Sequence, residues 1–474
     1  MKIIARAVRR ALHEADREWH LLVNSGALVI GAAVTAMLGF LFWWFAARVF
    51  PPHAVGLAAA MISIMSLLGL IGEFGLGTLL MAESQRGARE APGLISAALL
   101  AAFVSSILFG VACLGLVSLS PLKLGSALLS VDYGLLFIAG CAITGLVMTI
   151  DGALVGLLQS SLQMYRKVAF SIVKLALLPA LAFLMPWWPQ EVTIFAAWIV
   201  GNLLSVLVLL LSSICRSHAV WSAPNFMALK RQVPEVFGHH LLNLAAEGPG
   251  LIMPYLVTVI FAADVNAAFY AAWMIFNVVL LVPASLTTMQ FAMGSLQPGA
   301  IATRMTFSLL LCVVVSVAAG VGFMFMSGWT LGWFGPSYAA IGGPMLQVLG
   351  LAIFAVALKH HYIAVQRLRG RMVRAAMLVG LGGAAELTFA IIGAKLDGLQ
   401  GFTWGWLCAA CLEGAFVLPS VWRVARGHKR SHGGGGSIRT GSIGRPLSFA
   451  AYRRLVVPVR PDMWDRLPML WRRR

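Results

Sequence analysis

Long apolar runs alternate with short polar connections along the chain as far as about residue 422. A helix needs about 20 mostly apolar residues to cross the hydrocarbon core of a bilayer. Twelve stretches reach this length, so the pattern predicts an all-α integral membrane protein with twelve transmembrane helices. They lie near residues 21–47, 54–82, 93–120, 131–158, 168–186, 192–214, 236–262, 266–294, 305–328, 337–358, 375–394 and 400–422.

Lys and Arg are distributed very unevenly between the two sets of connections. Connections that share a side with the N-terminus hold 31 of the 35 basic residues, and the opposite set holds only Arg48, Lys123 and Lys395. Basic residues are retained on the cytoplasmic side of membrane proteins. The imbalance therefore predicts a multi-pass protein of a prokaryotic cytoplasmic membrane with both termini in the cytoplasm, here called the inner side.

The spans divide the chain into five predicted regions. Residues 1–20 form a basic amphipathic segment, 21–214 hold the first six spans, and 215–235 form a cytoplasmic linker. Residues 236–422 hold the last six spans, and 423–474 form a basic cytoplasmic tail. The tail contains a Gly-rich stretch, which is typical of a disordered segment near anionic headgroups. A specific partner-binding role for the tail is the alternative.

The composition supports lipid as the main solvent of this chain. Hydrophobic residues make up 60% of it and charged residues 11%, whereas an average soluble domain carries about 25% charged residues. The formal net charge of +18 could indicate nucleic-acid binding. The charges lie between apolar runs rather than on a basic domain, so no nucleic-acid partner is expected.

The sequence contains none of the motifs that indicate an enzyme of the common hydrolase or ATPase classes. It has no G-x-S-x-G, no H-E-x-x-H and no phosphate-binding loop. Cys408 and Cys411 form a C-x-x-C inside an apolar helix with no nearby His, which favours packing over metal binding. We therefore predict no enzyme activity, no metal and no cofactor, and secondary transport or lipid flipping remains.

Several polar side chains fall within the predicted spans, where a charge at mid-helix costs about 2.5–3.5 kcal/mol. Such residues indicate function by default, and further polar residues occur at Asn202, Glu386 and Glu413. Those predicted to line a substrate or ion pathway are Glu73, Asp151, Lys174, His240, Asn243, Glu247 and Asn277.

The seventh span carries the most informative pattern. His240, Asn243 and Glu247 follow i, i+3, i+7 spacing and so share one helix face. Proline lacks the backbone donor that a helix needs, so a helix break is predicted just beyond the stripe. A polar stripe ending at a break suits a hydrated pathway; a polar contact between helices with a simple kink is the alternative. The predicted break comprises Gly248, Pro249, Gly250 and Pro254.

Two isolated charges allow more than one interpretation. Glu73 lies among glycines that favour close helix packing, but a carboxyl inside a span could also exchange H⁺ or hold Na⁺ as a coupling ion. Lys174 could reach the inner interface by extending its side chain. It could instead neutralise an anionic substrate or pair with Asp151.

Several stretches resemble Wzx-like polysaccharide flippases of the multidrug/oligosaccharidyl-lipid/polysaccharide (MOP) exporter superfamily. Residues 45–60 resemble the first loop of that family, and 63–80, with Gly75 and Gly77, resemble its second span. The seventh and eighth spans are similar to the family's at residues 238–245, 269–275, 283–286 and 291–292, with Pro249 and Pro254.

The resemblance implies two pseudo-symmetric six-helix bundles around a central cavity lined by spans one, two, seven and eight. The cavity would open alternately to each side and carry a polyprenyl-diphosphate-linked oligosaccharide to the outer leaflet. The implied partners are this lipid-linked glycan, membrane lipids and other polysaccharide-assembly proteins. Phosphate oxygens require charge-assisted donors, so basic residues at the inner rim are expected to hold the diphosphate: Arg86, Arg89, Lys230 and Arg231.

Two other functions remain open from the sequence. An ion-coupled exporter of drugs or small cations, as in the related efflux branch, would use Glu73, Asp151 and Glu247 to bind the ion or the drug. A membrane enzyme of glycan assembly is less favoured, because such chemistry needs a sizeable external loop and every outer connection here is short.

Overall fold

A computed structural model describes residues 31–83, 91–118, 131–157, 159–215, 222–294 and 301–427, and these residues form helices joined by short turns. The basic segment 1–20, Arg86, Arg89 and the tail beyond residue 427 lie outside the described residues. In chain order the helices are α1 (Gly31–Val49), α2 (Pro52–Glu73), α3 (Leu76–Glu83), α4 (Ala91–Ser118), α5 (Val131–Gly156), α6 (Ser160–Leu184), α7 (Gln190–Cys215), α8 (Phe226–Ile260), α9 (Ala263–Gly294), α10 (Ile301–Gly332), α11 (Pro336–Leu368) and α12 (Met372–Ala425).

Within the described residues, ten helices are long and apolar enough to cross a membrane. The ten leave out α8, whose first ten residues extend the seventh span into the predicted linker. Helix α12 is one of the ten, although non-helical backbone at Asp397 and Gly398 divides it into α12a (372–396) and α12b (399–425). Adding α8 and the second half of α12 gives twelve crossings, which confirms the predicted all-α membrane fold.

The helices pack as two groups joined by a small number of central helices. In the first half of the chain α2, α4 and α5 pack together, as do α6 and α7; in the second half α11 packs on α9, α10 and α12. Contacts between the halves are concentrated where α2 meets α8 and α9. Spans two, seven and eight therefore meet at the junction; the resemblance implied a cavity lined by these three spans and span one.

The buried apolar residues form one large cluster at the predicted outer end and two smaller clusters at the predicted inner end. The outer cluster contains residues of both halves, among them Phe42, Met253 and Phe334. One inner cluster belongs to the first half apart from Leu229 and Val236 of α8, and the other belongs wholly to the second half. The halves therefore share a large core toward the outer side, and toward the inner side only the start of α8 packs on the first half.

Polar contacts reinforce this outer closure. The Asn266 amide of α9 donates a hydrogen bond of 2.8 Å to the carbonyl oxygen of Gly56 in α2. The side chains of Trp44 and Arg48 both donate to the carbonyl oxygen of Trp333, at 2.9 and 2.8 Å. A Cβ atom at Gly56 would overlap the backbone of Ala263, so glycine is required for the close approach of α2 and α9.

Candidate functional site

The polar stripe predicted on the seventh span lies at the junction between the halves. The His240 ring packs 5.6 Å from the Phe74 ring, measured between centroids. The Asn243 amide donates a hydrogen bond of 3.1 Å to Thr78 and its oxygen accepts one of 2.8 Å from Arg367. Asn243 thus joins α8 to α3 through Thr78 and to α11 through Arg367.

Glu247 continues this stripe with an exposed side chain. Its charged neighbours are Arg367 and Lys359 of α11. The opposite face of α8 is occupied, because Pro249 packs against Gly383 of α12a. The accessible surface of Glu247 therefore lies on the side of α8 away from α12a, with the charged groups of α11 as neighbours.

The predicted break at Gly248, Pro249, Gly250 and Pro254 is wrong. Helix α8 runs without interruption from Phe226 to Ile260. A proline within a membrane helix is tolerated where neighbouring protein covers the freed carbonyl groups, and Gly383 provides the space that Pro249 needs. The stripe consequently lies on a continuous helix.

The break occurs instead in the second span, at Phe74 and Gly75, where both residues have positive φ angles of 50° and 74°. Glu73 is buried beside it, and its carboxylate accepts backbone N–H groups of Gly75, at 2.8 Å, and of Gly77. These groups belong to the start of α3, whose first N–H groups lack intrahelical partners. Glu73 therefore caps the second half of this span, a correction to the prediction that it faces the cavity.

Asp151 lies near the inner end of α5 and forms a bidentate ion pair with Arg166 of α6. The Arg166 Nε and Nη2 atoms donate to its two carboxylate oxygens at 2.8 and 2.7 Å, and Lys167 lies 3.4 Å away. The fifth apolar run begins only at residue 168, so the sequence pattern places Arg166 in a connection. The helix itself begins at Ser160, which brings Arg166 into the packed interior.

Lys174 does not pair with Asp151, so that interpretation is wrong. Its ammonium lies 3.6 Å from the ring centre of Trp198, 4.6 Å from Phe170 and 4.9 Å from Phe42. The side chain is buried and does not extend to the interface. A cation over aromatic faces is attracted by the ring quadrupoles, which partly offsets the loss of hydration.

We expect Lys174→Met to raise the stability of the solubilised protein. Burial of a lysine without a carboxylate partner costs more than burial of an apolar chain of similar volume, and aromatic contacts return only about 2 kcal/mol. Thermal unfolding in detergent would measure the change, with Lys395→Met, an exposed lysine at the predicted outer end, as the control. A destabilised Lys174→Met protein would contradict this account.

A second buried cluster joins three helices of the second half. The Lys359 ammonium of α11 lies 2.5 Å from Glu386 Oε1 of α12a and 2.8 Å from Glu413 Oε2 of α12b. The Trp406 indole N–H donates to the other Glu386 oxygen at 3.2 Å. All four side chains are buried.

The two buried charge sites occupy comparable places in the two halves. Glu386 lies as far from the start of α12 as Lys174 does from the start of α6. Each contacts a tryptophan of the following segment, Trp406 or Trp198. The residue at this place is a lysine, Lys174, in the first half and a glutamate, Glu386, in the second. Among the described residues, a buried carboxylate therefore occupies this place only in the second half.

The sequence pattern does not predict four of these residues as members of the site: Lys359, Arg367, Glu386 and Glu413. The tenth apolar run ends near residue 358, so both basic residues had been assigned to an inner connection, whereas α11 extends to Leu368. Glu386 and Glu413 had been recognised as polar residues inside spans. Their position in the eleventh and twelfth spans was the only available signal.

The remaining predicted residues are placed as follows. Asn277 is exposed on α9, and its amide donates to the Trp273 carbonyl oxygen at 2.7 Å. Lys230 and Arg231 are exposed on the first turns of α8, at the predicted inner rim. Among the described residues, no group of three or more His, Cys, Asp or Glu side chains is arranged to hold a metal ion, and Cys408 and Cys411 are free thiols exposed on α12b.

Comparison with known proteins identifies the fold. No protein-family model matches the chain, and no curated protein matches its sequence. Among solved structures, it is similar to an inward-facing multidrug resistance MATE family transporter of the MOP superfamily, with 15% identity, a TM-score of 0.63, and coverage of 84% of this chain and 96% of the other. A variant of the Vibrio cholerae MATE transporter VcmN gives 15% identity, a TM-score of 0.61, and coverage of 86% and 97%.

These similarities confirm the expected two six-helix bundles. We call them the N-bundle (α1–α7) and the C-bundle (α8–α12). The similar structures are MATE transporters, and at 15% identity the similarity to this chain is one of fold.

Proposed function

We propose that this protein is a secondary transporter that works by alternating access and exports organic cations by exchange with an ion. One observation carries the proposal: the bundles share a large hydrophobic core at the predicted outer end, whereas at the inner end each has its own cluster and only Leu229 and Val236 of α8 pack on the N-bundle. Separate inner cores allow the bundles to part there as rigid bodies. Movement about the shared core would expose the junction to one side and then to the other.

The side chains at the junction favour a cationic substrate. Glu247 is an accessible carboxylate in the middle of a span. One turn farther along the same helix, Gly250 lies 3.6 Å, measured from an ideal Cβ position, from the half-buried Trp273 ring. A carboxylate and an indole ring on neighbouring turns can supply the charge and the ring quadrupole that an organic cation needs. The MATE fold of the similar structures is consistent with this assignment.

We expect Glu247→Gln to reduce export of a fluorescent organic cation at least about tenfold, equivalent to about 1.4 kcal/mol. The substitution removes the charge and keeps the shape, so folding is expected to persist. The measurement uses proteoliposomes with an imposed pH or Na⁺ gradient. Asp132→Asn, an exposed carboxylate at the start of α5, is the matched control, and equal activity of the two variants would remove Glu247 from the pathway.

Export of a polyprenyl-diphosphate-linked glycan is the second candidate, and the inner rim favours it. Lys230 and Arg231 are exposed at the entrance, and Arg367 lies deeper, beside Asn243. Charged donors of this kind are suited to a diphosphate. The same proteoliposomes, loaded with a fluorescent lipid-diphosphate glycan, would decide between the two functions. Glycan export would be favoured if the unaltered protein flips this lipid but does not export the organic cation, and if the Lys230→Ala/Arg231→Ala protein no longer flips the lipid.

A further inference from the structure

A groove lies between two helix ends at the predicted inner side of the C-bundle. It has a volume of about 460 Å³, within the range of about 300–1,000 Å³ that is usual for ligand pockets. Thr303, Thr306 and Phe307 at the start of α10 form one wall, and Arg426 and Gly427 at the end of α12b belong to the other. The Thr306 hydroxyl donates to the Ala425 carbonyl oxygen at 3.1 Å, so the two walls are joined.

Arg426 places a positive charge in this groove. Its guanidinium lies 4.9 Å from the ring centre of Trp422, and the quadrupole of an indole ring attracts a cation over its face. The ring therefore positions the guanidinium, whose N–H groups are suited to bidentate donation to phosphate oxygens. The exposed hydroxyl of Thr303 lines the groove opposite.

The surface around the groove is strongly positive. Segments 301–312, 362–378 and 414–427 form the inner ends of α10, α11 and α12, and their apolar residues pack into one cluster. Together they contain seven arginines and no acidic residue. The chain that follows directly is also basic, at Lys429 and Arg430, so it brings no counter-charge. The seven are Arg304, Arg367, Arg369, Arg371, Arg374, Arg423 and Arg426, and all but the first two are exposed.

Toward the middle of the membrane, an apolar track on α10 continues the groove. Phe307, Leu310 and Val314 are 65%, 62% and 56% exposed, and their i, i+3, i+7 spacing places them on one helix face. Phe307 belongs both to this track and to the groove wall. A positive groove that leads into an apolar track fits the two parts of a phospholipid, whereas a soluble anion would use only the groove.

We propose that this groove binds an anionic phospholipid of the leaflet on that side, with Arg426 and Thr303 holding the headgroup phosphate and an acyl chain lying along the α10 track. Basic pockets between membrane helices on the cytoplasmic side bind such headgroups. Both walls belong to the C-bundle, so the bound lipid joins α10 to α12b. The site lies apart from Glu247 and does not depend on which substrate the protein carries.

Lipid binding to the full-length protein in a neutral detergent is the test. Native mass spectrometry during a titration with phosphatidylglycerol counts the lipids bound, and phosphatidylcholine with the same acyl chains is the uncharged reference. We expect Arg426→Gln to weaken phosphatidylglycerol binding at least about tenfold, because it removes charge-assisted hydrogen bonds. Arg374→Gln removes an exposed arginine of the same surface that does not line the groove, and we expect it to leave this binding nearly unchanged.

Thr303→Trp separates the groove from the general charge of the surface. The position is exposed, so the fold is expected to persist, and the indole fills the groove while every arginine remains. We expect a loss of phosphatidylglycerol binding as large as in Arg426→Gln, and a smaller rise of the unfolding midpoint with this lipid than in the unaltered protein.

Four outcomes would overturn the proposal. They are equal binding of phosphatidylglycerol and phosphatidylcholine, equal losses in Arg426→Gln and Arg374→Gln, unimpaired binding in Thr303→Trp, and displacement of the lipid by an equal concentration of glycerol 3-phosphate. The last would indicate a site for soluble phosphates. None of these measurements uses a transport substrate, so their outcome is independent of the proposed function.

Discussion

Replacing Gly56 by alanine is expected to drive the protein out of its outer-closed state. The added methyl group would overlap the carbonyl oxygen of Ala263. Neither atom can move away, because each is attached directly to the backbone of a packed helix. Overpacking of this kind costs about 1–3 kcal/mol, which corresponds to a shift of about 5- to 150-fold in a two-state equilibrium. The hydrogen bond from Asn266 to Gly56 would be strained at the same time.

Spin labels at the predicted outer ends of the two bundles can measure this shift. Trp187 and Leu396 are highly exposed, at 72% and 81%, and lie in different bundles. In the Gly56→Ala protein we expect the distance between labels at these positions to lengthen. Gly322→Ala is the matched control, since a Cβ atom there meets nothing within 4 Å; an unchanged label distance in Gly56→Ala would show that this crossing does not hold the outer end closed.

Replacing Arg166 by methionine is expected to destabilise the N-bundle by about 3–5 kcal/mol, because removal of one partner leaves the other charge buried without compensation. The Asp151 carboxylate loses both of its short hydrogen bonds, and only the more exposed Lys167 remains nearby. The free energy of unfolding of the full-length protein in detergent, measured with denaturant, is the test.

Two further variants separate the ion pair from packing. Lys167→Met removes the exposed neighbour of Asp151, and we expect it to cost less than about 1 kcal/mol, as for other exposed ion pairs. Arg166→Met combined with Asp151→Asn removes both charges of the pair and should recover much of the lost stability. If Lys167→Met cost as much as Arg166→Met, Asp151 would be held by general attraction rather than by the bidentate pair.

The candidate site was only partly predictable from the sequence. Helical spacing places His240, Asn243 and Glu247 on one face, and the structure sets His240 and Asn243 at the junction. Lys359 was not recognised, because hydropathy indicates where a helix leaves the membrane but not how far the helix continues. The helix break was assigned to the prolines of span seven, whereas the chain breaks at Phe74 and Gly75, where a carboxylate is available to cap the new helix end.

The sequence by itself determined the number of crossings and the uneven distribution of Lys and Arg between connections. Both follow from the bilayer and do not depend on how the helices pack. A span requires about 20 apolar residues, and basic loops are retained on the cytoplasmic side. Only the tertiary structure decided the partners of the buried charges. Lys359, Glu386 and Glu413 lie on three separate spans, and their meeting depends on how α11 and α12 pack, which no local pattern of residues specifies.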